Sequence, residues 1–168
     1  MDGGDRSTQF NFLRRTEMAF REYEAARQMT MALDNPSPDA VAEYFIAIGH
    51  WEVFLSQAYQ AWCLLGRELP ASGYKFFTKN DGSLVQRLNL LYNRAKHAEK
   101  AITAQQLPPG GTLPVWLQND GLHCADGALT FEDMAEILRE LALWADAAQD
   151  PRTMREKIEA YYRSASSG

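Results

Sequence analysis

The chain has 168 residues, 46% of them apolar and 23% charged, and a formal net charge of −5. That length and balance fit one globular domain with a proper core, and the acidic total argues against a protein coated for constitutive nucleic-acid binding. No apolar run approaches a membrane span, the opening MDGGDRSTQF lacks the basic and apolar parts of a secretory signal, and Cys63 and Cys124 lack CxxC spacing. These features lead to the expectation of a cytoplasmic protein with two reduced thiols.

Residues 1–7 read as a flexible N-terminus and 8–165 as a single domain. A first helix is predicted from about Thr8 to Leu33, with Phe12, Ala19, Tyr23, Ala26 and Leu33 on one side. Asp34-Asn35-Pro36 stops it, and Ser37 followed by Pro38 is an N-cap and first-turn signal for the next helix. That second helix, to about Leu65, is the most apolar. Val41, Tyr44, Ile48, Trp51, Leu55, Ala58, Trp62 and Leu65 repeat in steps of three and four. Ala42, Ile46 and Val53, with His50 among them, form a second and weaker apolar strip on the other side. A helix apolar on two sides is either central to a bundle or lends one side to a partner.

Gly66 and Pro70 end that helix, and Ala71 to Gly82 is a predicted loop pinned by Phe76 and Phe77. Ser83 caps a third helix predicted to run to about Gln105, with Leu84, Leu88, Leu91, Ala95, Ala98 and Ile102 on its inner stripe. On its far side cluster Asn89, Asn93, Lys96, His97 and Lys100, with Tyr92 and Arg94 on the flanks. The run from Leu107 to Thr112, rich in Pro and Gly, forces irregular chain. Residues 114–130 then read as short β-compatible pieces between NDG and ADG turns, a small β-hairpin insert or meander. Thr130 is the predicted N-cap of the next helix, Phe131 to Ala148, with Asp133 able to answer it and Leu129 and Met134 at staple spacing. Pro151 starts a terminal helix bearing Met154, Ile158, Tyr161 and Tyr162. The predicted fold class is an all-α, antiparallel helical bundle of four main helices and a terminal one, carrying the hairpin.

Charge is unevenly spread. Between Lys75 and Lys100 six basic residues face only Asp81 and Glu99, whereas from Glu132 to Asp150 six acidic residues face only Arg139. The simplest explanation is that the basic and acidic helices complement each other or face water.

Chemically the densest stretch is Tyr92-Asn93-Arg94-Ala95-Lys96-His97. Asn93 and His97 lie one turn apart, as do Tyr92 and Lys96, so each pair can act on one ligand. An imidazole there could take the proton of a ribose 2′-hydroxyl, and Lys96 or Arg94 could stabilise charge on a phosphate. The competing reading is a solvated polar helix face with a chance histidine. Glu43, His50, Glu52, His97, Glu99 and His123 are metal-ligand types, but no pair is spaced for one helix face, so neither a metal nor another cofactor is expected.

A helical bundle whose third long helix carries an RN-x-x-x-H-type motif resembles the HEPN superfamily. Here YNRAKH stands in its place: Asn93 and His97 match the polar residue and the histidine, and Tyr92 fills the arginine position. The resemblance implies a metal-independent endoribonuclease or RNA-binding module of a prokaryotic defence or toxin–antitoxin system. Such a module acts as a homodimer, with a cognate protein partner in some systems. Catalytic roles would fall to His97, Asn93, Arg94 and Lys96, and substrate contacts to Tyr92, Lys100 and Asn89. The alternative is a non-enzymatic, dimeric interaction or regulatory protein that keeps the fold without the chemistry.

Overall fold

The structure is a computed structural model that describes residues 3–35, 37–68, 80–104, 107, 112–150, 153, 156, 157 and 160. Within them lie α1 (Gly3–Ala32), α2 (Ala40–Glu68), α3 (Leu84–Lys96), α4 (Ala98–Thr103), strands β1 (Val115–Gln118), β2 (Gly121–Cys124) and β3 (Gly127–Thr130), and α5 (Phe131–Ala148). The chain is mostly helical with one small antiparallel sheet. The expected loop residues Phe76 and Phe77 lie outside the described residues, as do Met154, Ile158, Tyr161 and Tyr162 of the expected terminal helix.

The helices α1 and α2 lie antiparallel along each other. Arg15 reaches Gln57 at 2.7 Å and Glu22 reaches His50 at 2.7 Å, so residue numbers rise on one helix as they fall on the other. Small residues bring the two close: Ala19, Ala26, Ala47, Ala58 and Ala61 are fully buried. Around them Trp51 packs edge-on against Tyr23 and Phe54, and its indole N–H donates to the Thr30 hydroxyl at 2.9 Å. Burying each such large side chain is worth about 1.5–3 kcal/mol. The predicted inner stripe of α2 is buried from Ile48 to Leu65, while Val41 at its N-terminal end is exposed. The second strip, Ala42, Ile46 and Val53, is also exposed.

Two capping signals in the sequence act as predicted. Ser83 accepts from the Gln86 N–H at the start of α3. Thr130 and Asp133 form a reciprocal capping box at the start of α5, with Leu129 and Met134 both buried beside it. Ahead of α5, the expected β-hairpin is a three-stranded meander, because ADG makes a second two-residue turn just as NDG makes the first. Gly121 follows the first turn and lies so near the neighbouring strand that a Cβ there would sit 2.3 Å from the Leu129 carbonyl oxygen. Val115, Leu122, Cys124 and Leu129 bury the inner side of this sheet in the common core with Leu88, Leu91, Ile137 and Leu141.

The third helix departs from the sequence reading. It ends at Lys96, and His97 (φ −108°, ψ 29°) links it to the short α4. The Lys100 N–H reaches back to the His97 carbonyl, a three-residue step in place of four. That step shifts the phase of everything after it. Leu88 and Leu91 are fully buried and Ala95 packs on the core, but Ile102, predicted to share their stripe, is 52% exposed. At the N-terminus, helix begins at Gly3 instead of near Thr8.

Candidate nucleic-acid interface

The residues singled out on α3 and α4 fall into two groups. Asn89, Tyr92, Asn93 and Arg94 are half-buried and engaged within the protein, whereas Lys96, His97 and Lys100 are exposed at the corner between the helices.

In the first group, the Asn93 amide nitrogen donates to the Asn89 carbonyl at 2.9 Å and to the Asn89 side-chain oxygen at 2.8 Å, which uses both of its N–H groups. Its own side-chain oxygen is left to accept. Tyr92 stacks on Tyr59 of α2, with ring centroids 4.6 Å apart, and so joins α3 to α2. The Tyr59 hydroxyl is pushed up to about 12, by burial first and then by Cys63 one turn along α2. Arg94 forms an ion pair with Asp126, the turn residue between β2 and β3. That partner was invisible in sequence, since it requires the second β-turn to fold onto the end of α3.

In the second group, Lys96 extends its ammonium 5.6 Å from the centroid of the Tyr92 ring, a cation–π contact that leaves its charge available. His97 stands at the junction where the helix breaks, so its side chain leaves the corner and not a continuous helical face. Lys100 and Lys96 have no ion-pair partner among the described residues. Lys96, His97 and Lys100 thus give one corner two cations that have no ion-pair partner among the described residues, and an imidazole, offset by the exposed Glu99.

The basic helix and the acidic helix are tied directly. Arg87 gives two hydrogen bonds, 2.6 and 2.8 Å, to the two oxygens of Asp133 at the start of α5. Burial alone would raise the Asp133 carboxyl, but the Thr130 N–H, the Thr130 hydroxyl and the Arg87 guanidinium together hold it below its ordinary value. The predicted complementarity of the two helices is real at this end.

The remaining ligand-type residues are dispersed. His50 pairs with Glu22 across α1 and α2, and His123 lies 2.7 Å from Asp120 at the first β-turn. The hydrogen bond from His123 draws the Asp120 carboxyl down. No group of three His, Cys, Asp or Glu side chains converges as a metal site among the described residues. Cys63 is exposed and Cys124 buried, both as free thiols; burial pushes the Cys124 thiol up. No helix among the described residues is long and apolar enough to cross a membrane. Comparisons with family models, curated proteins and solved structures each return no match.

Proposed function

We propose that the chain is a HEPN-like helical-bundle module that binds RNA at the α3–α4 corner as a homodimer, in a prokaryotic defence or toxin–antitoxin setting. One observation carries this reading: Lys96, His97 and Lys100 are exposed, while Arg87 and Arg94 of α3 are spent on intramolecular partners. Free cations at one corner are what a phosphate backbone needs, and they give binding without requiring a basic protein overall. Cleavage is the more demanding version. His97 would take the 2′-hydroxyl proton, yet Arg94, the guanidinium nearest in sequence to Asn93, is neutralised by Asp126. Binding is therefore the primary activity and hydrolysis its extension.

The test is incubation with single-stranded RNA without added metal, read by anisotropy for binding and by gel for cleavage, beside His97→Ala and a Lys96→Ala/Lys100→Ala pair. Binding lost in the lysine pair supports the corner, and cutting lost in His97→Ala adds catalysis. No binding by the unaltered protein at low salt, where phosphate contacts are strongest, removes the RNA reading.

A second reading has its own support. Val41, Phe45, Ile46 and Val53 on the outer side of α2 are 70%, 56%, 50% and 39% exposed. So much apolar surface on one helix marks an interaction face, and a second copy of the chain is the simplest occupant. On this reading the protein is a non-enzymatic dimeric interaction module. Sedimentation at tens of micromolar tests it: a dimer disrupted by Phe45→Glu supports it, and a monomer removes it.

A further inference from the structure

A cleft of about 430 Å³ lies away from the α3–α4 corner, where the end of α1, the first turns of α2, the β1–β2 turn and the start of α5 meet. Its volume is at the small end of the range of ligand pockets. Its apolar surface comes from Met31, Leu33 and Leu117, and its two rings are Tyr44 and Phe131. The buried Trp51 ties two of the lining residues together, its indole N–H donating to Thr30 and its ring lying 5.6 Å from the Phe131 ring centroid.

The polar groups converging on it favour a cation. Asp34 lines the cleft with an exposed carboxylate, and among the described residues none of those lining it is basic. The cleft abuts the carboxyl end of α1, which has no basic residue in its last turn to offset the negative end of the helix dipole. β1 is an edge strand, and the Leu117 N–H points off that edge to the Tyr44 hydroxyl at 3.1 Å. In an antiparallel pair the N–H and C=O of one residue point the same way, so the Leu117 carbonyl also faces outward beside the cleft as an acceptor. Tyr44, having accepted from Leu117, keeps its own proton to donate. The rings of Tyr44 and Phe131 line the same cleft, and aromatic rings attract cations through their quadrupoles.

We infer that this cleft is a binding site for a small organic ammonium compound, the charged nitrogen set against Asp34 and the Leu117 carbonyl, the apolar arm against Met31, Leu33 and Phe131. The site is independent of the RNA reading, because it shares no residue with the α3–α4 corner. The probes are 2-phenylethylamine and its trimethylammonium analogue, with neutral 2-phenylethanol as the uncharged counterpart, titrated by calorimetry into the full chain. Saturable binding of either cation is expected, at least tenfold tighter than the alcohol. Asp34→Asn should bring the cation down to the level of the alcohol, and His97→Ala should leave binding unchanged. Asp34 is exposed and outside the core, so its variant keeps the fold, which circular dichroism checks. Equal binding of amine and alcohol, cation binding unaffected by Asp34→Asn, or no saturable cation binding into the millimolar range would each overturn the proposal.

Discussion

The two ends of α3 carry the same kind of residue and use it in opposite ways. At the amino end, Arg87 is bound through both terminal nitrogens to Asp133, a carboxylate that is also part of the α5 capping box. At the carboxyl end Arg94 is held by Asp126, but Lys96 and Lys100 have no ion-pair partner among the described residues and stand exposed beside His97. The difference lies in what the rest of the chain brings to each end. The start of α5 is fixed against α3 by the buried Leu129 and Met134, so Asp133 is delivered to Arg87 with little remaining freedom. At the far end the β2–β3 turn brings Asp126 only as far as Arg94, and the chain breaks at His97, just after Lys96. A positive charge with a preorganised partner is architecture; one without is available to a ligand.

The sharpest way to break this contrast is at Asp133. Asp133→Ala removes both the partner of a guanidinium that is only partly exposed and the return hydrogen bond of the capping box. Losing a cap costs about 1 kcal/mol, and leaving a partly buried charge unpaired adds more, so a total of about 3 kcal/mol is expected. Arg87→Met should cost less, about 1–2 kcal/mol, because Asp133 keeps the Thr130 N–H and hydroxyl as partners. Urea denaturation of both variants, and of the double variant, measures the difference. Equal and negligible losses would mean that the pair is ornamental.

The same carboxylate sets an acid limit. Its folded pKa lies below its unfolded one, so the fold prefers the ionised form. The resulting stability is fully present above the unfolded value, about 3.9, and is lost as pH falls through the folded value. Asp133→Asn should therefore be less stable than the unaltered protein at neutral pH, with the gap closing in acid. A gap that stays constant from pH 7 to pH 3 would assign the pair a purely steric role.

At the other end the expected pattern is inverted. Lys96→Ala with Lys100→Ala should change stability by no more than about 0.5 kcal/mol, as is usual for surface positions. The salt dependence of RNA binding, in contrast, should fall by about 1.4 in logarithmic slope, at roughly 0.7 per single-strand phosphate contact. A stability loss comparable to that of Arg87→Met would place these lysines in the architecture as well.

Much of this contrast was legible in the sequence, and the reason is local physics. Helix seams, the Ser83 cap and the Thr130–Asp133 box depend on residues within one or two turns of each other, and these are the features that the fold reproduces. The opposition of a basic to an acidic helix was readable as charge, and Arg87–Asp133 is its realisation. The break at His97 was not readable, because an uninterrupted apolar repeat through Ala98 to Ile102 argues for continued helix; with the break, Ile102 rotates into solvent. Equally hidden was the engagement of Arg94 and Tyr92, whose partners Asp126 and Tyr59 are more than 30 residues away. Of the seven residues singled out on the far side and flanks of that helix, the three at the corner are exposed and the other four are half-buried. The cleft beside Asp34 and Tyr44 draws on four separate elements and had no sequence signature at all.

The smallest effect concerns a charge that is neither paired nor free. Glu52, on α2 beside the exposed Val53, is half-buried and has no ion-pair partner among the described residues. Burial raises its carboxyl above the ordinary 4.5, the reverse of Asp133. The folded chain thus holds that proton more tightly than the unfolded one. Stability from this group is present below 4.5 and declines as pH rises through the raised folded value. Glu52→Gln keeps the shape and removes the charge, so it should stabilise the protein at pH 7, by no more than about 0.5 kcal/mol. That gain should shrink towards zero as the pH is lowered below the ordinary carboxylate range. Paired urea midpoints at pH 7 and pH 4 decide it. A glutamine variant less stable at pH 7 would mean that Glu52 has a stabilising partner in solution, and the outer face of α2 is where a second copy would supply one.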